Sequence, residues 1–160
     1  VSSEAHARFD AISRTYEYFI VRRKDPFLED FSWLLYGDLD IELMNSAAGK
    51  LYDFHDFTSF SKFHTQVKTN ICRIEHAKWE QKDHLLIFKI KADRFLRNMV
   101  RAIVGTLLEV GANKITVEGF VRIIESKDRS EAGLSVPARG LFLSDIEYPE
   151  SITSVMKVRC

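Results

Sequence analysis

Between residues 95 and 110, the apolar side chains Leu96, Met99, Val100, Ile103, Val104, Leu107 and Val110 recur at intervals of three and four. That period predicts a helix with one wide apolar face, closed by Gly111. A helix this one-sided has to lie on another layer. The rest of the chain supplies one. Residues 14–23 (RTYEYFIVRR) are rich in aromatic and β-branched types and read as a strand stopped by Asp25-Pro26. Residues 71–79 and 85–91 read as two more strands, with the polar run Glu80-Gln81-Lys82-Asp83 as the hairpin turn between them. Residues 141–148 read as a last strand, stopped by Pro149.

Two further helices are expected. Asp40 suits the N-cap of a helix carrying Leu43, Ala47 and Leu51, and Thr116 suits the cap of one with Val117, Phe120, Val121 and Ile124 on one stripe. The order is then β-α-β-β-α-α-β. This implies an α+β domain with one antiparallel sheet and helices on one face, similar to a split βαβ arrangement with an added helix. Glycine and proline are sparse, and no repeat or linker-like run divides the 160 residues, so one domain is expected. Many functions use such a scaffold, so function has to come from the residues it carries.

Charge and cysteine content narrow the classes. Lys plus Arg and Asp plus Glu both number 23, so any attraction to a polyanion must be local. From His84 to Leu108 there are Lys89, Lys91, Arg94, Arg97 and Arg101 against the single acid Asp93. No apolar run reaches the roughly 20 residues of a transmembrane helix. The start, Val1-Ser2-Ser3-Glu4, has no apolar core of a signal peptide, and its Val in place of Met is expected of a piece of a longer protein. Cys72 and Cys160 suggest neither a disulfide framework nor a metal site, so a reducing compartment such as the cytoplasm is the default. His6, His55, His64, His76 and His84 are scattered without ligand spacing.

On a helix from residue 95, with Arg94 just before it, Arg94, Arg97 and Arg101 fall within about 60° of one another. They have no acid three or four residues on. Such a face is either solvated surface or a phosphate or carboxylate grip, since guanidinium forks bind both anions with paired hydrogen bonds. Tyr16 and Tyr18 point to the same side of their strand. They are either core aromatics with satisfied hydroxyls or a surface for stacking a base. Asp56-Phe57-Thr58-Ser59-Phe60 suits a turn pinned by its own side chains, with both phenylalanines as core anchors. Ala138-Arg139-Gly140-Leu141-Phe142-Leu143 reads as a glycine turn entering a strand. No Ser-His-Asp order, phosphate-binding G-x-x-x-x-G-K-[ST] loop or G-x-G-x-x-G is present.

Several of these motifs together resemble one family. His6-Ala7-Arg8-Phe9-Asp10-Ala11 followed by Ser13-Arg14-Thr15-Tyr16-Glu17-Tyr18 is similar to the HARF-x-A-x-SR-x-Y-x-Y block of the TruA-type tRNA pseudouridine synthases. Asp56 to Phe60 is similar to their DFTSF. Phe95 to Arg101 with Ile103-Val104-Gly105 is similar to their F-x-x-x-MVR-x-IVG helix, and Pro137 to Leu143 to the segment before their last strand. The four blocks stand in the family's order and span residues 6 to about 149.

The resemblance implies a homodimeric, cofactor-free enzyme, not bound to membranes, that converts uridine to pseudouridine in the tRNA anticodon stem-loop. It implies that Tyr16 stacks on the flipped base and takes the C5 proton, that Arg101 pairs with the catalytic aspartate, and that Leu141 packs against the target base. Arg94 and Arg97 are implied as tRNA contacts. These types suit the chemistry: a base must leave its stack to be reached, and an ionised carboxylate in a dry site needs a fixed cation. The family's aspartate stands in an R-x-DAG loop, which this chain does not contain; Asp10 lies in a different motif. The chain therefore reads as a C-terminal domain whose catalytic loop lies N-terminal to it. A non-catalytic RNA-binding module and a pure dimerisation domain remain open beside that reading.

Overall fold

The computed structural model describes residues 6–62 and 69–153. Val1 to Glu4, His64 and Cys160 of the sequence reading lie outside them. Strand β1 (Ser13–Val21) is the middle of the sheet. Along one side it pairs antiparallel with β4 (Leu85–Ala92), which pairs antiparallel with β3 (Ile74–Lys82). Along the other, β5 (Leu141–Glu147) runs antiparallel to the first half of β1, and the two-residue β2 (Trp33–Leu34) runs parallel to its end. The sheet is antiparallel as expected, apart from β2. The chain leaves β1 through a turn in which Asp25 accepts from the Phe27 amide, and it returns in the direction it left.

Alternation places Tyr18 and Ile20 of β1, Leu86, Phe88, Ile90 and Ala92 of β4, and Ala77 and Trp79 of β3 on one side of the sheet, all buried. Helices α1 (Ile41–Lys50), α2 (Met99–Gly111) and α3 (Val117–Ser126) close over that side and complete a single core. Both expected caps are made. Asp40 Oδ1 accepts from the Leu43 amide, and Thr116 Oγ1 accepts from the Gly119 amide, each at 3.0 Å. In the Asp56 turn, Oδ1 accepts from the amide and hydroxyl of Thr58, while Phe57 and Phe60 are fully buried anchors. A one-turn helix α4 (Glu150–Thr153), which the sequence did not signal, ends the described residues.

Four expectations are corrected. Strand β3 begins at Ile74 rather than residue 71, because Ile71 makes only an isolated bridge to Asp56. The hairpin turns at Asp83-His84, with Asp83 left-handed at φ 58°, so the polar residues 80–82 belong to the strand. Helix α2 starts at Met99, four residues later than its apolar period suggests. Residues 94–98 form a folded-back loop instead. Asp93 Oδ1 accepts from the amides of Arg73 and Arg94, and Asn98 stands left-handed at φ 68° before the first turn. Gly111 is a helical residue rather than a left-handed stop. A Cβ there would lie 2.4 Å from Met44 Sδ, so the glycine lets α1 and α2 close on each other. The left-handed turn falls at Asn113.

Candidate functional site

Between α3 and β5, residues 132–137 form a strap laid across α2. Gly105 makes the crossing possible: a Cβ there would stand 1.8 Å from the Leu134 carbonyl oxygen. Side chains from three elements fasten the strap. Thr106 Oγ1 accepts from the Gly133 amide at 2.9 Å. Arg129 donates to the Gly133 carbonyl at 3.1 Å and to Ser135 Oγ at 3.1 Å, and Asn98 Nδ2 also donates to Ser135 Oγ. The Tyr18 hydroxyl donates to the Pro137 carbonyl at 2.6 Å. A backbone running over a helix has to satisfy its polar groups somewhere. Here side chains do so, and the path of the strap is fixed.

Arg101, half-buried on the first turns of α2, joins this arrangement. Its Nε donates to the Val136 carbonyl at 2.7 Å, and its own carbonyl accepts from the Val136 amide at 3.3 Å. Arg101 is thus not one of a row of solvated arginines: the strap holds it through both the side chain and the backbone. No carboxylate among the described residues pairs with it. Its two terminal nitrogens make no hydrogen bond within the described residues, while Nε is taken.

The two tyrosines of β1 do share a side, but their surroundings divide their roles. Tyr18 is fully buried. Burial pushes its phenol well above the ordinary range, and the nearby Arg101 and Arg139 guanidiniums oppose that shift. It is thus a neutral hydrogen-bond donor, not a proton shuttle at physiological pH. Tyr16 is half-buried and meets Phe95 edge-on, with ring centroids 5.2 Å apart. Leu141 enters β5 opposite Tyr18, and Leu143 lies opposite Tyr16 across a bulge. The strap links these groups: Arg101 grips Val136, Tyr18 grips Pro137, and Leu141 follows four residues on, half-buried against the core.

Arg94 and Arg97 do not share a helical face with Arg101, because both precede α2. Arg94 Nη1 donates to the carbonyls of Thr69 at 3.0 Å and Ile71 at 3.2 Å, which braces the loop. Arg97 is exposed. Arg14, half-buried on β1, donates to the Asp93 and Arg8 carbonyls, so a second arginine braces the same loop. Sequence reasoning missed Asn98, Arg129, Ser135 and Val136. The close approach at Gly105 and the glycine turn at Gly140 were its only local signals. Cys72 is fully buried, and burial pushes its thiol up to about 11. Among the described residues, no three His, Cys, Asp or Glu side chains come together where a metal could bind. Nor is any helix there long and apolar enough to cross a membrane.

Fold and strap define an α+β domain of the pseudouridine synthase type: an antiparallel sheet, helices on one face, and a guanidinium fixed beside a tyrosine-bearing central strand. The sequence profile of a family described as tRNA pseudouridine synthase matches residues 47–149, and the chain belongs to that family. Among curated relatives, it is 58% identical over 155 residues to tRNA pseudouridine synthase A of Parabacteroides distasonis, covering 97% of this chain and 62% of that protein. It is 58% identical over 157 residues to the protein of that name in Bacteroides thetaiotaomicron, covering 96% and 58%. Against the one in Clostridium acetobutylicum it is 43% identical over 150 residues, covering 92% and 62%. The chain thus spans about three-fifths of the length of these relatives.

Proposed function

We propose that residues 1–160 are the C-terminal part of a tRNA pseudouridine synthase and supply one wall of its active site. The enzyme isomerises uridine to pseudouridine in the anticodon stem-loop, without a cofactor, as a cytoplasmic homodimer. Its nucleophilic aspartate stands in a loop N-terminal to this chain. Arg101 offers that carboxylate its terminal nitrogens and keeps it ionised. Tyr16 lies under the flipped base and takes the C5 proton, and Leu141 closes the apolar side of the pocket. Arg97, exposed on the loop before α2, touches the tRNA backbone. Arg94 contributes less than the sequence implied, because its guanidinium already braces residues 69–71.

The observation that carries this reading is the state of Arg101. A half-buried guanidinium is fixed through Nε, and among the described residues its fork is unpaired and no acid stands beside it. Isolated charges are costly in such places unless a counter-charge arrives. The test is pseudouridine formation on an unmodified tRNA transcript. The full-length protein is expected to be active, and its Arg101→Ala variant inactive. This chain alone is expected to give no pseudouridine above background. A clear yield from the chain alone would place the nucleophile somewhere else.

A further inference from the structure

We propose that the strap over α2 is the positioning device for Arg101, with Ser135 and Tyr18 as positioning residues that fasten it on either side of Val136. This rests on the reading of Arg101 above. A guanidinium can meet a carboxylate from the side, through Nε and one terminal nitrogen, or from the end, through both terminal nitrogens. Val136 decides between the two. Its carbonyl occupies Nε at 2.7 Å, so only the end-on fork remains, and its amide ties the same residue's backbone at 3.3 Å. The direction of the fork is therefore set by where Val136 stands.

Val136 in turn stands where its neighbours are fastened. On one side Ser135 Oγ takes hydrogen bonds from Arg129 and Asn98, and on the other the buried Tyr18 hydroxyl holds the Pro137 carbonyl. Beneath, the Leu134 carbonyl rests on Gly105, where no side chain would fit. Neither Ser135 nor Tyr18 bonds to Arg101, so both act on it through Val136. Tyr18 and Tyr16 then have separate tasks on one strand: one sets the arginine's frame, the other faces the substrate. A misplacement near 1 Å can cost a rate factor of about a hundred, so a frame of this kind has a kinetic consequence.

The experiment uses the full-length protein and single-turnover rates on unmodified tRNA, with KM measured separately. Ser135→Ala and Tyr18→Phe are each expected to lower the single-turnover rate by about tenfold to a hundredfold while KM stays within about twofold. Ser135→Thr, which keeps the hydroxyl, is expected to restore most of the rate. Asn45→Ala is the control. It removes two hydrogen bonds at the opposite edge of the sheet and should lower the melting temperature without changing the rate. If Ser135→Ala does not fold, Tyr18→Phe decides. Unchanged rates in the soluble variants overturn the proposal, and so does a loss that Ser135→Thr fails to rescue or that Asn45→Ala reproduces. Arg101→Ala separates the two levels of failure. If that variant is active, the reading of Arg101 itself falls; if it is inactive while the strap variants keep full rate, only the positioning role falls.

Discussion

The side chain of Asn45 bonds both backbone groups of Trp79, Nδ2 donating to the carbonyl at 3.1 Å and Oδ1 accepting from the amide at 2.8 Å. Strand β3 is the edge of the sheet, and an open edge presents unpaired amides and carbonyls. Asn45 on α1 covers one such pair, and the Tyr52 hydroxyl accepts from the Ala77 amide at 2.8 Å two residues earlier. Asn45→Ala leaves both Trp79 groups part-buried and unpaired. A loss of about 1–3 kcal/mol is expected, read as a lower urea midpoint at unchanged slope. Asn45→Asp keeps the acceptor alone and should fall between.

Arg101→Ala tests the grip on Val136 without reference to catalysis. The change removes a charged donor to a strap carbonyl. It should cost about 1.5–3 kcal/mol, as hydrogen bonds to charged groups do, rather than the near-zero cost of a surface change. Urea unfolding of this chain, wild type against variant, measures it.

Gly105→Ala adds one methyl where the Leu134 carbonyl oxygen would be 1.8 Å away. The obstacle is backbone, so the strap has to lift. Overpacking of this kind costs about 1–3 kcal/mol or more. Lifting also strains the Val136 bonds to Arg101. Thermal unfolding should show the drop, and hydrogen exchange should show the Gly133 and Val136 amides losing protection together.

Asp25 gives a pH signature. The His84 hydrogen bond at 2.7 Å and then the Phe27 amide at 3.0 Å hold its carboxyl below the ordinary value of 3.8. A carboxylate with a lowered folded pKa stabilises the fold above the unfolded pKa and loses that contribution as pH falls through the folded value. Wild type should therefore exceed Asp25→Asn in stability by a constant margin well above 3.8. The margin should shrink only below that value. Denaturant melts at stepped acidic pH check the sign; a margin that grew on acidification would contradict it.

Cys72 should be silent in the native state. Its side chain is fully buried and its thiol titrates at about 11, so the reactive thiolate is scarce at neutral pH. Iodoacetamide with mass-spectrometric readout should label Cys72 only in denaturant.

What the sequence by itself determined were features held by neighbours along the chain. Aromatic and β-branched content marked β1, because side chains that suit a pleated, half-buried surface show in the local sequence. The seven apolar residues from Leu96 to Val110 are all buried, even though Leu96 precedes the helix. The Asp40 and Thr116 caps and the Asp56 turn each close over two or three residues, so they too were legible. Tertiary structure decided where α2 begins. The Asp93 carboxylate takes an amide from Arg73, twenty residues away, and unwinds what periodicity alone would have made helical. It also decided what each arginine does. Arg94 is drawn to Thr69 and Ile71, Arg97 is left in solvent, and Arg101 is locked to Val136, 35 residues on. A guanidinium's role depends on which oxygens other segments bring within hydrogen-bonding reach of it. No local pattern carries that, because those oxygens are backbone carbonyls, which every residue has.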